Sequence, residues 1–358
     1  MTDLLYSDVE EELRASVRSL FADRSPAASV RARTETPDTH DRPLWRTLAS
    51  DLGLAALIIP EDLGGAGASH REAAVVIEEI GRAIAPVPFL GSAIVATTAL
   101  LDAGTPEAAS LLGRLASGDV TAALAVPLSA TPFGARPFTV KADGDRLSGT
   151  VTSVADALPA DTLLIPTDAG LYAVAAADAT VTPVVSLDMT RQLADVTLDG
   201  AAGTLVGSSD VVAAALLAGA ALLASEQLGL ASWCLDETVD YLKNRYQFGR
   251  QVGSFQALKH RLADIWVDLT QARATARYAA ECAAVGDPDL PVAVAVAQAF
   301  NGPMAVRTAE DCLQLHGGIG FTWEHPIHLY LKRAKSDSIA YGTAFAYRAE
   351  LGTLVDIA

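Results

Sequence analysis

The chain has 358 residues, enough for two or three packed units around a large core. About half of it is apolar (51%), alanine is abundant, and 43 acidic against 26 basic residues leave a net charge of −17. That composition suits a mostly helical globular protein; it excludes nucleic acid and anionic membranes as partners, because both are polyanions.

Residues 1–118 read as an all-helical unit. Ser7 and Glu10 form a capping-box pattern, and Leu13, Val17, Leu20 and Phe21 then recur on one helical face. The acidic start, "MTDLLYSDVEEEL", enters this helix directly, with no apolar core of a secretory signal. The stretch "PEDLGGAGASHREAAVVIEEIGRA" (residues 60–83) reads as a glycine-rich turn followed by a helix capped by Ser69. A further short helix is expected within 104–119.

Residues 119–206 change character. Pro, Gly, Thr and Val rise, and short runs such as "DTLLIPT" and "ADVTLDG" are bounded by turn residues, which predicts a small antiparallel β unit, a sandwich or barrel. Residues 207–358 return to long helices, the first predicted from Ser208 to about Gln247, and such a length belongs to a helical bundle. Its opening run, "VVAAALLAGAALLA" (211–224), is too short for a membrane span and reads as a buried helix. The expected fold class is α+β, in the linear order helical, β, helical. Cys234, Cys282 and Cys312 are scattered and form no C-x-x-C pair, so no metal site is expected and a reducing cytoplasm fits.

Two stretches carry candidate chemistry. "NRYQFGRQVGSF" (244–255) sets Arg245 and Arg250 around a Phe-Gly turn between helices. Arginine offers a permanently charged fork for phosphate oxygens, although from these residues alone a turn with solvated arginines is the favoured reading. "QLHGGIGF" (314–321) supplies Gly317, Gly318 and Gly320, which let a backbone approach a pyrophosphate closely, or simply make a turn. His316, between Leu315 and Gly317, reads as a packing residue more readily than as a ligand-binding one.

Together these stretches resemble the acyl-CoA dehydrogenase family. Its Arg-x-x-Phe-Gly turn is matched by Arg245, Phe248 and Gly249, and its Gln-x-x-Gly-Gly-x-Gly-Phe segment by Gln314, Gly317, Gly318, Gly320 and Phe321. The "PExxGG" loop (Pro60, Glu61, Gly64, Gly65) and the terminal Gly342-Thr343 also match, so the resemblance spans the chain. It implies an N-terminal helical domain (1–118), a middle β domain (119–206) and a C-terminal four-helix-bundle domain (207–358). It further implies FAD, held at its ADP end by Arg245, Phe248, Gln314, Gly317, Gly318 and Thr343 while the ring sits mainly in a neighbouring subunit. The implied reaction is α,β-dehydrogenation of an acyl-CoA thioester, with electrons leaving to an electron-transfer flavoprotein.

The chain departs from that pattern at the reacting end. The family's usual base is the Glu of Tyr-Glu-Gly-Thr; here the residue is Tyr341, whose ionisation at pH 7 costs about 4 kcal/mol. The alternative base position, 26 residues before the flavin arginine, is Gly219. Glu226, two turns further along, is the remaining substitute, and a Glu inside an apolar helix is more often a structural hydrogen-bond partner. The family's Thr/Ser-Glu-Pro loop reads Ala125-Val126-Pro127, and its Trp-Ile-Thr-Asn strand reads Ser153-Val154-Ala155-Asp156. The pattern therefore resembles the non-catalytic subunit of the heterotetrameric (α2β2) acyl-CoA dehydrogenases of actinobacterial steroid side-chain breakdown, which bind half the usual number of flavins. Two other readings stay open: an active homo-oligomer using Glu226 or another base, and a flavin-free scaffold subunit.

Overall fold

The computed structural model describes residues 4–134 and 137–357. The N-terminal part contains α1 (Asp8–Arg24), α2 (Ala27–Thr34), α3 (Arg42–Arg46), α4 (His70–Ala83), α5 (Thr97–Ala103) and α6 (Pro106–Ala116). Local chemistry sets their starts. The Ser7 hydroxyl accepts the Glu10 N–H while the Glu10 carboxylate accepts the Ser7 N–H at 2.6 Å, and Ser69 and Glu72 repeat this box at α4. Thr105 caps α6, with Pro106 in the first turn, where its missing N–H costs nothing.

The middle part is a sandwich of two four-stranded sheets built from β1 (Ala122–Leu124), β2 (Lys141–Asp143), β3 (Arg146–Ala155), β4 (Thr162–Thr167), β5 (Gly170–Ala175), β6 (Thr180–Val184), β7 (Leu193–Ala202) and β8 (Thr204–Gly207). The sheet orders are β1-β4-β5-β8 and β2-β3-β7-β6. The sheets are antiparallel as expected, except that β1 pairs with β4 in parallel. All of β4 is buried, which its unbroken apolar run anticipates. Leu163 and Ile165 face the core between the sheets, while Leu164 faces the helices, so this strand joins the two cores.

The C-terminal part holds α7 (Val211–Asn244), a two-stranded hairpin of β9 (Tyr246–Gln247) and β10 (Arg250–Gln251), then α8 (Gln256–Val285), α9 (Leu290–Leu315), α10 (Ile327–Asp337) and α11 (Ala344–Leu354). The 34 residues of α7 span about 51 Å. It is long and apolar enough to cross a membrane, but 78% of its apolar window is buried inside the fold. It packs on α4, α8 and α9 and is buried on every side from Ala218 to Ala231. Two glycines let α4 and α7 cross closely: a Cβ on Gly81 would overlap the Glu226 carbonyl oxygen, and one on Gly229 would overlap the Glu78 carbonyl oxygen.

Candidate functional site: a closed cleft and an open phosphate grip

The two positions at which the family resemblance places a base touch each other. A Cβ built on Gly219 would stand 3.2 Å from Tyr341 Cε2 and 2.7 Å from Val95 Cγ2, so the phenol ring occupies the space a side chain on α7 would need. Tyr341 is buried and held in the left-handed region at φ +55°. Its N–H donates to the Leu128 carbonyl at 2.8 Å, and its carbonyl accepts the Tyr347 hydroxyl at 2.7 Å. Burial pushes its phenol pKa well above the ordinary value. A neutral, enclosed phenol is no proton acceptor for a thioester.

The neighbouring β elements close the same cleft. The Leu128 N–H donates to the Ser153 carbonyl at 3.0 Å, and Pro127 bridges Val154, drawing the Ala125–Gly134 loop onto β3. Phe133 of that loop packs edge-on against Tyr347 at 5.9 Å. Ser153 and Asp156 both have positive φ, 56° and 58°. The Asp156 carboxylate turns inward to accept the Gly91 N–H at 3.2 Å, where a Cβ on Gly91 would overlap it. The segment expected to face a flavin ring is therefore engaged with its own chain.

Glu226 is fully buried and claimed on both oxygens. Arg191 Nη2 lies 2.7 and 2.6 Å from its two oxygens, and Arg333 Nη1 donates to Oε1. Arg191 also donates to Asp337 Oδ1 at 2.6 Å. Arg333 reaches Asp188 and, at 2.6 Å, Thr190 Oγ1. Arg191, Asp188 and Thr190 come from the β6–β7 loop, Glu226 from α7, and Arg333 and Asp337 from α10. A carboxylate gripped by two guanidiniums is the structural partner that its place in an apolar helix suggests. Arg191 and Arg333 carry no signal in the sequence, because nothing local distinguishes a buried arginine from a solvated one.

The opposite end of the bundle is open. Arg245 ends α7 with extended backbone, φ −85° and ψ 127°, and projects into solvent with no side-chain partner among the described residues. The β9–β10 hairpin follows, and its two turn residues, Phe248 and Gly249, lie at φ 54° and 75°, the signature of a type I′ turn. Phe248 is 88% exposed, an aromatic in a conformation that favours glycine. Arg250 stacks over Phe255 at 3.8 Å, so it is committed within the chain while Arg245 is not. Gln314 is exposed at the end of α9, and Gly317 (φ +62°) and Gly318 have nothing within 4 Å of a built Cβ. Tyr241, one turn before Arg245, packs on His316 at 4.6 Å, which brings the end of α7 to the glycine turn. Thr343 stands apart, its hydroxyl capping α11 by accepting the Ala346 N–H at 3.3 Å.

This geometry fits one half of a flavin nucleotide. An unpaired guanidinium beside an uncovered glycine backbone suits a pyrophosphate, whereas at the reacting end Tyr341, Leu128 and Asp156 are buried and hydrogen-bonded within the chain.

Comparisons with known proteins agree with this architecture. Residues 7–119 match the model of the acyl-CoA dehydrogenase N-terminal domain and residues 209–348 that of the C-terminal domain. The acyl-CoA dehydrogenase IpdE2 of Mycolicibacterium smegmatis is 37% identical over 94% of this chain and 95% of its own. The IpdE2 of Mycobacterium tuberculosis is 38% identical over 90% and 89%. Among solved structures, the ChsE4-ChsE5 complex from Mycobacterium tuberculosis superposes with a TM-score of 0.87 at 29% identity over the full length of both chains. The Tcur3481-Tcur3483 steroid acyl-CoA dehydrogenase gives 0.86 at 32% identity over 98% of each. With both terminal domains matched and curated relatives aligned nearly end to end, the chain belongs to the acyl-CoA dehydrogenase family.

Proposed function

We propose that this chain is the non-catalytic subunit of a heteromeric, FAD-dependent acyl-CoA dehydrogenase acting on a steroid side-chain thioester. It supplies the ADP-holding half of a flavin site whose ring and base belong to a different, related chain. One observation carries the reading: Tyr341 and Gly219, the two base positions, are packed against each other in a closed cleft, while Arg245, Gln314, Gly317 and Gly318 stay exposed. Two structural relatives with full-length matches are two-component assemblies, one of them named for a steroid substrate, and this supports both the heteromer and the substrate class.

In this assembly FAD, when bound, would supply the hydride acceptor for the dehydrogenation. Arg245 would supply the positive charge for its phosphates, and Gln314 with the Gly317–Gly318 backbone would hold and orient its ADP end. Tyr341 and the Arg191–Glu226–Arg333 cluster keep water and acyl chain out of this subunit's own cleft. The electrons leave to an electron-transfer flavoprotein.

Flavin stoichiometry tests the proposal. Expressed alone, the chain is expected to be colourless or insoluble; co-expressed with a related chain that carries the Glu, it should yield about one FAD per pair. Arg245→Ala should weaken flavin retention by about tenfold or more, the worth of a hydrogen bond to a charged group. A chain that is yellow by itself, with one FAD each, and bleached by an acyl-CoA would establish the active homo-oligomer instead. Unchanged flavin in the Arg245→Ala complex would establish the scaffold.

A further inference from the structure

We propose that Glu237, His316 and His325 form a binding site for a borderline transition-metal dication of the Zn2+ class, pinning the end of α7 to the glycine turn. One donor atom from each of the three residues lies within 4.8 Å of the others. They come from three elements: Glu237 from α7, His316 from the end of α9, and His325 from the segment before α10. The His316 and His325 rings are 4.2 Å apart, and His325 Nε2 stands 3.8 Å from Glu237 Oε1.

His316 gives the second, independent pointer. Its Nδ1 donates to the Cys312 carbonyl at 2.7 Å, which fixes the proton there and leaves Nε2 with a free lone pair. The residue is only 2% exposed, and Nε2 is buried with no hydrogen-bond partner among the described residues. A buried acceptor without a donor asks for a cation or a ligand proton. The arrangement is that of a metal-binding histidine, with the far nitrogen oriented by a backbone carbonyl. Two imidazoles and a carboxylate suit Zn2+ and its neighbours better than Mg2+ or Ca2+, which prefer oxygen.

The site needs a small closure and one tautomer change. Tetrahedral ligands about 2.1 Å from Zn2+ lie about 3.4 Å apart, so side-chain rotations of about 1 Å suffice. His325 Nδ1 now accepts the Ile327 N–H at 3.2 Å, which places its own proton on Nε2. Coordination through Nε2 moves that proton to Nδ1 and gives up this long contact. Glu237 is 43% exposed and opens the site to solvent.

The test needs tag-free protein, the full chain or its complex, stripped with a chelator and titrated with Co2+. One equivalent per chain with visible-region absorption, and a rise in Tm on adding Zn2+, are expected. Glu237→Gln lies at the surface and leaves the fold intact; it and His325→Ala should each weaken Co2+ binding by about tenfold or more. Absence of stoichiometric Co2+ absorption overturns the site, as does binding that neither substitution changes. Metal content and Tm are read without reference to flavin, so this outcome is separate from that of the flavin experiment.

Discussion

At Asp337 the fold buries one more carboxyl than its guanidiniums balance. Arg191 and Arg333 are matched by Glu226 and Asp188, and Asp337 makes a third acid, with Oδ2 unpartnered among the described residues. Burial, then the Glu226 charge, push its pKa up to about 8. The native chain therefore keeps a proton that the unfolded chain, with an aspartate pKa near 3.9, releases. Its stabilising contribution is full below about pH 4, declines as pH rises, and is gone above about pH 8. Asp337→Asn should remove that decline, so urea melts at pH 5 and pH 8 should show the variant gaining on the wild type at the higher pH. Asp188 acts in the opposite sense: burial raises its pKa, but Arg333 and Arg191 outweigh burial and hold it below the usual range. Its stabilisation is present above the unfolded pKa and lost as pH falls through the folded one. Glu226→Ala leaves Arg191 with Asp337 and Arg333 with Asp188, but removes the carboxylate both guanidiniums share, and should cost about 1–3 kcal/mol in unmade buried hydrogen bonds, seen as a lower denaturant midpoint. Glu226 could be read as a structural acid from its apolar helix, but its partners could not, since Arg191 and Arg333 lie 35 and 107 residues away in sequence.

Among the elements, the α4–α7 crossing is the most sharply determined. Gly229→Ala drives a methyl into the Glu78 carbonyl, three residues along α7 from Glu226 and its buried guanidinium partners. Overpacking of this kind costs about 1–3 kcal/mol; thermal melts should show the loss, whereas Gly318→Ala, in open space, should leave Tm nearly unchanged. Helix starts were legible in the sequence because capping is local: Ser7–Glu10 and Ser69 mark α1 and α4 within one turn. The ends of α7 were less so. Expected from Ser208 to about Gln247, the helix runs Val211–Asn244, because the chain becomes extended at Arg245 to enter the hairpin. Turn residues located β3, β4, β5 and β7 but not the other four strands of the sandwich, and the parallel β1–β4 pair was invisible, since partner choice is made by tertiary packing across two intervening strands.

For the whole molecule, the buried ion cluster ties the β6–β7 loop to α7 and α10, so the sandwich and the bundle share one polar core. The sequence showed the family's markers replaced at the reacting end and, in Tyr341, a side chain large enough to fill the space; it did not show that the ring packs against Gly219. That filling has a consequence for descent. Tyr341→Glu would set a carboxylate at positive φ in a closed, acid-rich pocket, and the co-expressed complex should gain neither extra flavin nor extra turnover over wild type. At Gly219, Val95 and the phenol already bar the other route. On the proposed heteromer, no single substitution at these two positions restores a base, and reliance on a companion chain would be held by a historical ratchet as well as by contact.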